Sequence, residues 1–155
     1  MLSAGKRVTD QQSQLVRVTT DYLYSRIKDP DPEVEALIHN LRLAHSIDRN
    51  RYNQLKRNLP FVVCAKFSPA YRKTENFASV DCFIVDIDHI SAAGMAAYEL
   101  KSKLCSDSHV TMCFLSPSGD GLKLLFTLKE KCYDAGEFSS FYKVFCKAIR
   151  NRLRA

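Results

Sequence analysis

An apolar run that ends in two carboxylates constrains this chain most. Residues 82–85 are Cys-Phe-Ile-Val, and Asp86 and Asp88 follow on either side of Ile87. Short apolar runs rich in β-branched and aromatic residues are typical of buried strands. Because side chains alternate along a strand, the pattern predicts that Asp86 and Asp88 lie on one face at the strand's end.

Two neighbouring carboxylates repel each other unless a cation lies between them. Hard divalent cations such as Mg²⁺ or Mn²⁺ take oxygen ligands of this kind. The pair therefore predicts a site in which Asp86 and Asp88 hold one or two such ions. The alternative is a strand that simply ends here with both acids in solvent.

A second segment has the composition of a phosphate-binding turn. Residues 116–123 are Ser-Pro-Ser-Gly-Asp-Gly-Leu-Lys. Glycines allow backbone amides to approach phosphate oxygens, and a lysine adds a positive charge. The same residues are also ordinary hairpin-turn residues. The predicted nucleotide-binding residues are Ser116, Ser118, Gly119, Gly121 and Lys123, together with His89, which is otherwise an exposed loop residue.

The predicted element order indicates an α+β fold with helices packed on a mostly antiparallel sheet. The N-terminal part, residues 1–60, is predicted to be mainly helical after a loose start at 1–10. Residues 11–28 fit a helix or a short strand. Asp31 is predicted to cap one helix, and a second helix is predicted to run from Asp48 to Asn58. The core at 61–155 has predicted strands at 61–67, 82–88, 110–115 and 122–128, a helix capped by Ser91, and a helix at 134–152 with the apolar stripe Phe138, Phe141, Phe145 and Ile149.

Charge favours a polyanionic partner. The chain of 155 residues has a formal net charge of +6 and a pI near 9.0. Basic surfaces of this kind bind nucleic acid, although many are only solvated. The predicted nucleic-acid contacts are Arg72 and Lys73, in the loop before the acidic strand, and Lys56 and Arg57 on a preceding helix.

The six cysteines form no CxxC pair, which argues against a zinc site. No apolar run approaches membrane-spanning length, so a cytoplasmic location is expected.

With these motifs, the chain resembles the archaeo-eukaryotic primase superfamily, the primase-polymerases. Residues 83–88 fit that superfamily's first motif, in which three apolar residues precede two acids separated by one residue. Residues 118–123 resemble its second motif, with Lys123 where the family has histidine. Residues 55–60, Leu-Lys-Arg-Asn-Leu-Pro, and 116–123 resemble a bacterial branch with VirE-like N-terminal domains, some of whose members occur beside CRISPR adaptation genes.

The resemblance implies an RRM-like catalytic core and a metal-dependent nucleotidyltransferase. Such an enzyme uses nucleoside triphosphates and a single-stranded DNA or RNA template to synthesise DNA or RNA. Asp86 and Asp88 would be its catalytic metal ligands. The family's third acid has no counterpart here, because Glu130, Asp134 and Glu137 come too early. It is expected in a further segment or subunit, as in a longer form of a truncated chain.

Two other functions remain open at this point. One is a non-catalytic module that binds nucleotide or single-stranded nucleic acid. The other is a haloacid-dehalogenase-like phosphatase, in which Asp86 would be the nucleophile and Asp88 the acid–base. The later lysine and acidic pair of that family are missing, so the sequence pattern favours a phosphatase less than a nucleotidyltransferase.

Overall fold

The structure, a computed structural model, describes residues 1–154 and contains two antiparallel sheets and five α-helices. The smaller sheet has the order β2-β1-β3, and the larger has the order β4-β5-β7-β6. The strands are β1 Leu2–Gly5, β2 Val16–Val18, β3 Phe61–Val63, β4 Ala65–Phe67, β5 Phe77–Ile87, β6 Val110–Leu115 and β7 Leu122–Cys132. The helices are α1 Thr20–Lys28, α2 Pro32–His45, α3 Arg49–Lys56, α4 Ala97–Cys105 and α5 Ala135–Arg154. The predicted α+β class with a mostly antiparallel sheet is confirmed.

The two faces of the larger sheet pack against different parts of the chain. Phe83 and Val85 of β5 belong to a core cluster with α5. The alternate residues Cys82 and Ile84 pack on the other side, with Leu2 of β1 and Leu23 of α1. This alternation is what the period of a strand requires. The N-terminal part and α5 therefore cover opposite faces of the sheet.

Helix α5 packs on the sheet through an aromatic cluster centred on Phe83. The ring of Phe83 lies 4.9 Å from that of Phe145 and 5.3 Å from that of Phe126. The predicted stripe of α5 is largely confirmed, but Phe141 remains 40% exposed. Tyr142 packs into the cluster beside it, and its hydroxyl donates a hydrogen bond of 2.9 Å to the carbonyl of Ile84.

The N-terminal part differs from the prediction. Residues 2–5 form β1 instead of a loose start, because Leu2 is buried in the core and β1 pairs with both β2 and β3. Residues 11–28 contain both a strand and a helix. The strand predicted at 61–67 is divided at Cys64, so that β3 joins the smaller sheet and β4 the larger. One apolar run thereby links the two sheets.

The helix predicted to begin at Ser91 begins later. Residues 91–93 form one 3-10 turn, which ends at Gly94 in the left-handed conformation with φ +72°. Helix α4 has Ala96 as its N-cap. By contrast, the helix predicted from Asp48 to Asn58 is present as α3, and Asp48 is its N-cap, because its carboxylate accepts a hydrogen bond from the Arg51 amide. Asp31 precedes α2 without a side-chain cap bond. None of the helices within residues 1–154 is long and apolar enough to cross a membrane.

Candidate functional site

The acidic strand and the serine- and glycine-rich turn lie side by side in the structure. Strands β5 and β7 are antiparallel, and their register pairs Asp86 with Lys123 and Ile87 with Leu122. The Lys123 Nζ lies 2.5 Å from the Asp86 Oδ1. Both side chains are partly exposed, so this cross-strand ion pair stabilises the fold by at most about 1 kcal/mol.

Asp88 lies one step further along, beside Gly121. A β-carbon placed on Gly121 would stand 3.1 Å from the Asp88 Oδ1 and 2.8 Å from the Ile87 carbonyl oxygen. Residues 121 and 123 are two positions apart, as residues 86 and 88 are, and residues at this spacing lie on the same side of an extended chain. The two carboxylates therefore lie next to each other at the beginning of β7, where the turn ends.

Hydrogen bonds within the turn hold its shape. The amide of Gly119 donates to the carbonyl of Ser116 at 2.9 Å, and Gly119 has φ +81°. The amide of Asp120 donates to the Ser118 Oγ, which lies 2.9 Å from the Oγ of the buried Ser116. The amides of Gly119 and Asp120 thus serve the turn itself. A phosphate at this turn would depend mainly on side-chain donors and on amides other than these two.

Gly121 is predicted to be essential for this arrangement. In Gly121→Ala the new β-carbon would lie 2.8 Å from the Ile87 carbonyl and 2.9 Å from the Ser116 Oγ, and backbone cannot easily move away. Overpacking of this kind costs about 1–3 kcal/mol. Urea denaturation should show that loss of unfolding free energy. As the control, Gly136→Ala in α5 meets only the Asp134 carboxylate and should change stability by less than about 1 kcal/mol. Equal stability of Gly121→Ala and the wild type would contradict the close approach.

Asp120 connects the turn to the loop that follows the acids. Its carboxylate accepts a hydrogen bond of 2.8 Å from the Ser91 amide, and its carbonyl accepts one from the Ile90 amide. The Ser91 backbone N–H holds the pKa of Asp120 below its ordinary value, and the nearby His45 and His89 contribute to the same direction. His89 itself has φ +58°, so the chain turns sharply after Asp88. His89 therefore lies close to both predicted motifs.

Arg42 of α2 is a residue of this site that the sequence did not reveal. Its Nε donates a hydrogen bond of 3.1 Å to the carbonyl of Pro117. The guanidinium runs alongside Gly119, with its Nε 3.5 Å from where a β-carbon would stand. Arg42 and Pro117 are 75 positions apart, and on α2 alone Arg42 is an ordinary exposed residue of the last turn. Only the packing of α2 over the turn brings this charge to the site.

Helix α3 extends the positive charge away from Arg42. The ring of His45 lies 4.9 Å from that of Tyr52, and Arg49 and Lys56 both lie over the Tyr52 ring. Arg57 follows as the exposed C-cap of α3. Of the predicted nucleic-acid contacts, Lys56 thus lies over Tyr52, whose neighbour His45 is three positions from Arg42 on α2.

Arg72 and Lys73 lie elsewhere. They precede the first residue of β5, whereas Asp86 stands near its last, and nine residues of strand span about 30 Å. Arg72 donates to the carbonyl of Val8, and its guanidinium lies 4.6 Å from the centroid of the Phe61 ring. The loop that is adjacent to the acidic strand in sequence is therefore at the opposite end of that strand in space. Arg72 ties this loop to the N-terminal part.

Beside the turn, the side chains that could bind a cation are the carboxylates of Asp86 and Asp88. Within residues 1–154, no group of three or more His, Cys, Asp or Glu side chains has the arrangement of a metal site. Asp86 and Asp88 supply the oxygen ligands that Mg²⁺ or Mn²⁺ prefers, so the donor chemistry fits. A cation would have to displace Lys123 from Asp86. Glu130 lies seven residues from Lys123 along β7, and Asp134 and Glu137 lie beyond it, so these acids are remote.

Comparison with known proteins gives one family. The model of the family described as BT4734-like, N-terminal domain, matches residues 54–144, more than half of the chain. The matched region contains β5, both acids and the whole turn, whereas Arg42 lies before it. No curated protein and no solved structure matches the chain.

Proposed function

The chain belongs to the BT4734-like N-terminal domain family, and we propose that it is a nucleotidyltransferase domain of the primase-polymerase type. In this proposal it binds a nucleoside triphosphate with Mg²⁺ or Mn²⁺ and a single-stranded DNA or RNA template in the cytoplasm. The proposal is supported by one observation above all. Two carboxylates adjoin a preformed serine- and glycine-rich turn, with Lys123 and Arg42 beside it.

Each side chain has a defined part in the proposed chemistry. Asp86 and Asp88 would hold the cation, which would neutralise phosphate charge and activate an attacking hydroxyl. Lys123, released from Asp86 when the cation binds, would become free to contact a phosphate oxygen. Ser118 and Ser116 offer hydroxyls at the turn, and His89 offers an imidazole. A third acidic ligand from a further segment or subunit is part of the proposal.

Arg42 at the end of α2 and the basic helix α3 supply the proposed path for the nucleic acid. Arg42 contacts the turn, and Arg49 and Lys56 both lie over the Tyr52 ring, which packs on His45 of the same helix α2. Basic side chains contact phosphates without regard to base sequence. Binding of a single strand there should weaken steeply with salt. We propose this surface, rather than the loop with Arg72 and Lys73, as the nucleic-acid contact.

The proposal is tested by measuring nucleotide binding and nucleic-acid synthesis with the same protein. Titration calorimetry would measure ATP and dATP binding with and without Mn²⁺, and primer extension would use dNTPs and NTPs on a single-stranded template. Cation-dependent nucleotide binding is expected, with synthesis weak unless a third acid is supplied. Absence of nucleotide binding with either cation would refute the proposal.

Two other outcomes would identify the alternative functions. Tight nucleotide or oligonucleotide binding with no incorporation, even by a longer form of the protein, would identify a non-catalytic binding module. Hydrolysis of a small phosphate ester through a phosphoenzyme on Asp86 would identify a phosphatase. Mass spectrometry after acid quench detects that aspartyl phosphate directly.

Arg42→Ala is predicted to weaken nucleotide binding about 10- to 100-fold, equally for all four bases. The guanidinium is held over the turn through its Nε, so its remaining N–H groups can reach a phosphate. Charge-assisted hydrogen bonds of this kind contribute about 1.5–3 kcal/mol. Titration with the four triphosphates measures the effect. Arg51→Ala, on the exposed part of α3, is the charge-matched control and should bind as the wild type does. Equal binding by both variants would remove Arg42 from the site.

A further inference from the structure

Strand β6 forms one edge of the larger sheet. It pairs with β7 alone, so its other long edge has no strand partner within the described chain. The pairing is irregular between Val110 and Met112, and it is regular from Met112 to Leu115. Unpaired backbone N–H and C=O groups on such an edge are a template for another strand.

Two helices turn this edge into a groove. Leu23 of α1 packs on the side of Met112 and Phe114, and Leu100 of α4 packs on the side of Cys113 and Leu115. Between the helices lies an open cavity of about 450 Å³. Five consecutive β6 residues, 110–114, line it. A groove with an edge strand between two helical walls has the shape required for addition of an extended peptide.

The groove walls offer apolar contacts and positive charge, and the Lys28 ammonium lies 6.0 Å from the centroid of the Tyr24 ring. Tyr24 is 53% exposed and Ile27 is 37% exposed on α1. Lys28 of α1 and Lys101 of α4 also line the groove, and neither forms an ion pair within residues 1–154. Asp21 is the acid that lines it, so the groove has more positive than negative side chains.

We propose that this groove binds an extended, acidic segment of a partner protein as an additional strand beside β6. Main-chain hydrogen bonds to the edge would hold the peptide, and its carboxylates would pair with Lys28 and Lys101. Its apolar residues would pack on Tyr24 and Ile27. The groove is separate from the acids and turn on β5 and β7, so the inference stands apart from the proposed nucleotide chemistry.

The charges and the backbone chemistry disfavour two other occupants. A second copy of this chain pairing edge to edge would bring Lys28 and Lys101 toward their own counterparts, and like charges that meet are unfavourable. A single-stranded nucleic acid could meet the lysines, but its phosphates have no donors for the free carbonyl groups of β6. A peptide satisfies both the N–H and the C=O groups of an edge strand.

The test begins with a displayed library of random nine-residue peptides, selected on the whole protein. Peptides rich in Asp or Glu and free of central proline are expected, and fluorescence anisotropy would measure their affinity. The double variant Lys28→Glu/Lys101→Glu should bind the selected peptide at least 10-fold more weakly. Lys6→Glu/Lys103→Glu carries the same charge change on exposed positions outside the groove and should bind like the wild type.

Hydrogen exchange and an N-methylated peptide test whether the bound peptide pairs with the backbone of β6. The selected peptide should slow hydrogen exchange of the amides in residues 111–115. Its analogue with alternate N-methylated residues keeps the side chains but loses the donors, and it should bind at least 10-fold more weakly. The proposal is overturned if no acidic peptide is selected, if N-methylation has no effect, or if the chain dimerises through β6. Protection of the same amides by an oligothymidylate, in preference to the peptide, would also overturn it.

Discussion

Replacing Asp88 by asparagine is expected to abolish the cation-dependent part of nucleotide binding, and any synthesis, while leaving the domain folded. Asp88 is one of two carboxylates that adjoin the turn, and asparagine keeps its shape without its charge. Cation-assisted affinity should fall at least about 100-fold, or about 2.7 kcal/mol. Calorimetry with Mn²⁺ and ATP measures this loss. Thermal unfolding should show stabilisation of the wild type, and not of the variant, by the same pair of ligands.

A matched variant makes this result specific. Glu130→Gln also removes one exposed carboxylate, but this residue of β7 lies at the opposite end of the strand from Lys123. It should retain the full cation effect. If Glu130→Gln loses the effect and Asp88→Asn retains it, the acids near β5 are not the ligands and the site lies at the other end of the sheet.

Phe83→Ala is expected to cost about 3–5 kcal/mol of unfolding free energy, as large-to-small changes at fully packed aromatic sites do. Phe83 is 3% exposed and stands between Phe126 on β7 and Phe145 on α5. Its loss would leave a cavity where α5 rests on the sheet. Because Val85 and Asp86 continue from the same strand, the register of the site should loosen with it. Urea denaturation followed by far-ultraviolet circular dichroism measures the change.

Phe141→Ala, on α5, is the control within the same aromatic cluster. Its ring contacts that of Phe83 at 5.4 Å but remains 40% exposed, so less apolar surface returns to water on unfolding. Its effect should be less than half that of Phe83→Ala. Equal effects would mean that the stability of α5 on the sheet does not depend on the buried centre of the cluster.

Local sequence patterns were sufficient to predict the central hairpin and the position of its motifs. Alternation and turn chemistry are local properties, so the residues of β6, β7 and the acidic end of β5 could be predicted from short segments. The same alternation predicted that Asp86 and Asp88 share a face, and in the structure both adjoin the start of β7. The amphipathic pattern of α5 likewise predicted which side rests on the sheet.

The surroundings of that hairpin depend on contacts between segments that are distant in the chain. No local pattern relates Arg42 to Pro117, and the burial of Leu2 that makes β1 a strand depends on β5 and α1. Arg72 was predicted as a nucleic-acid contact because its loop precedes the acidic strand, but an extended strand separates its two ends by its full length. Contacts between distant segments depend on how all the elements pack together, and short-range periodicity contains no information about that packing.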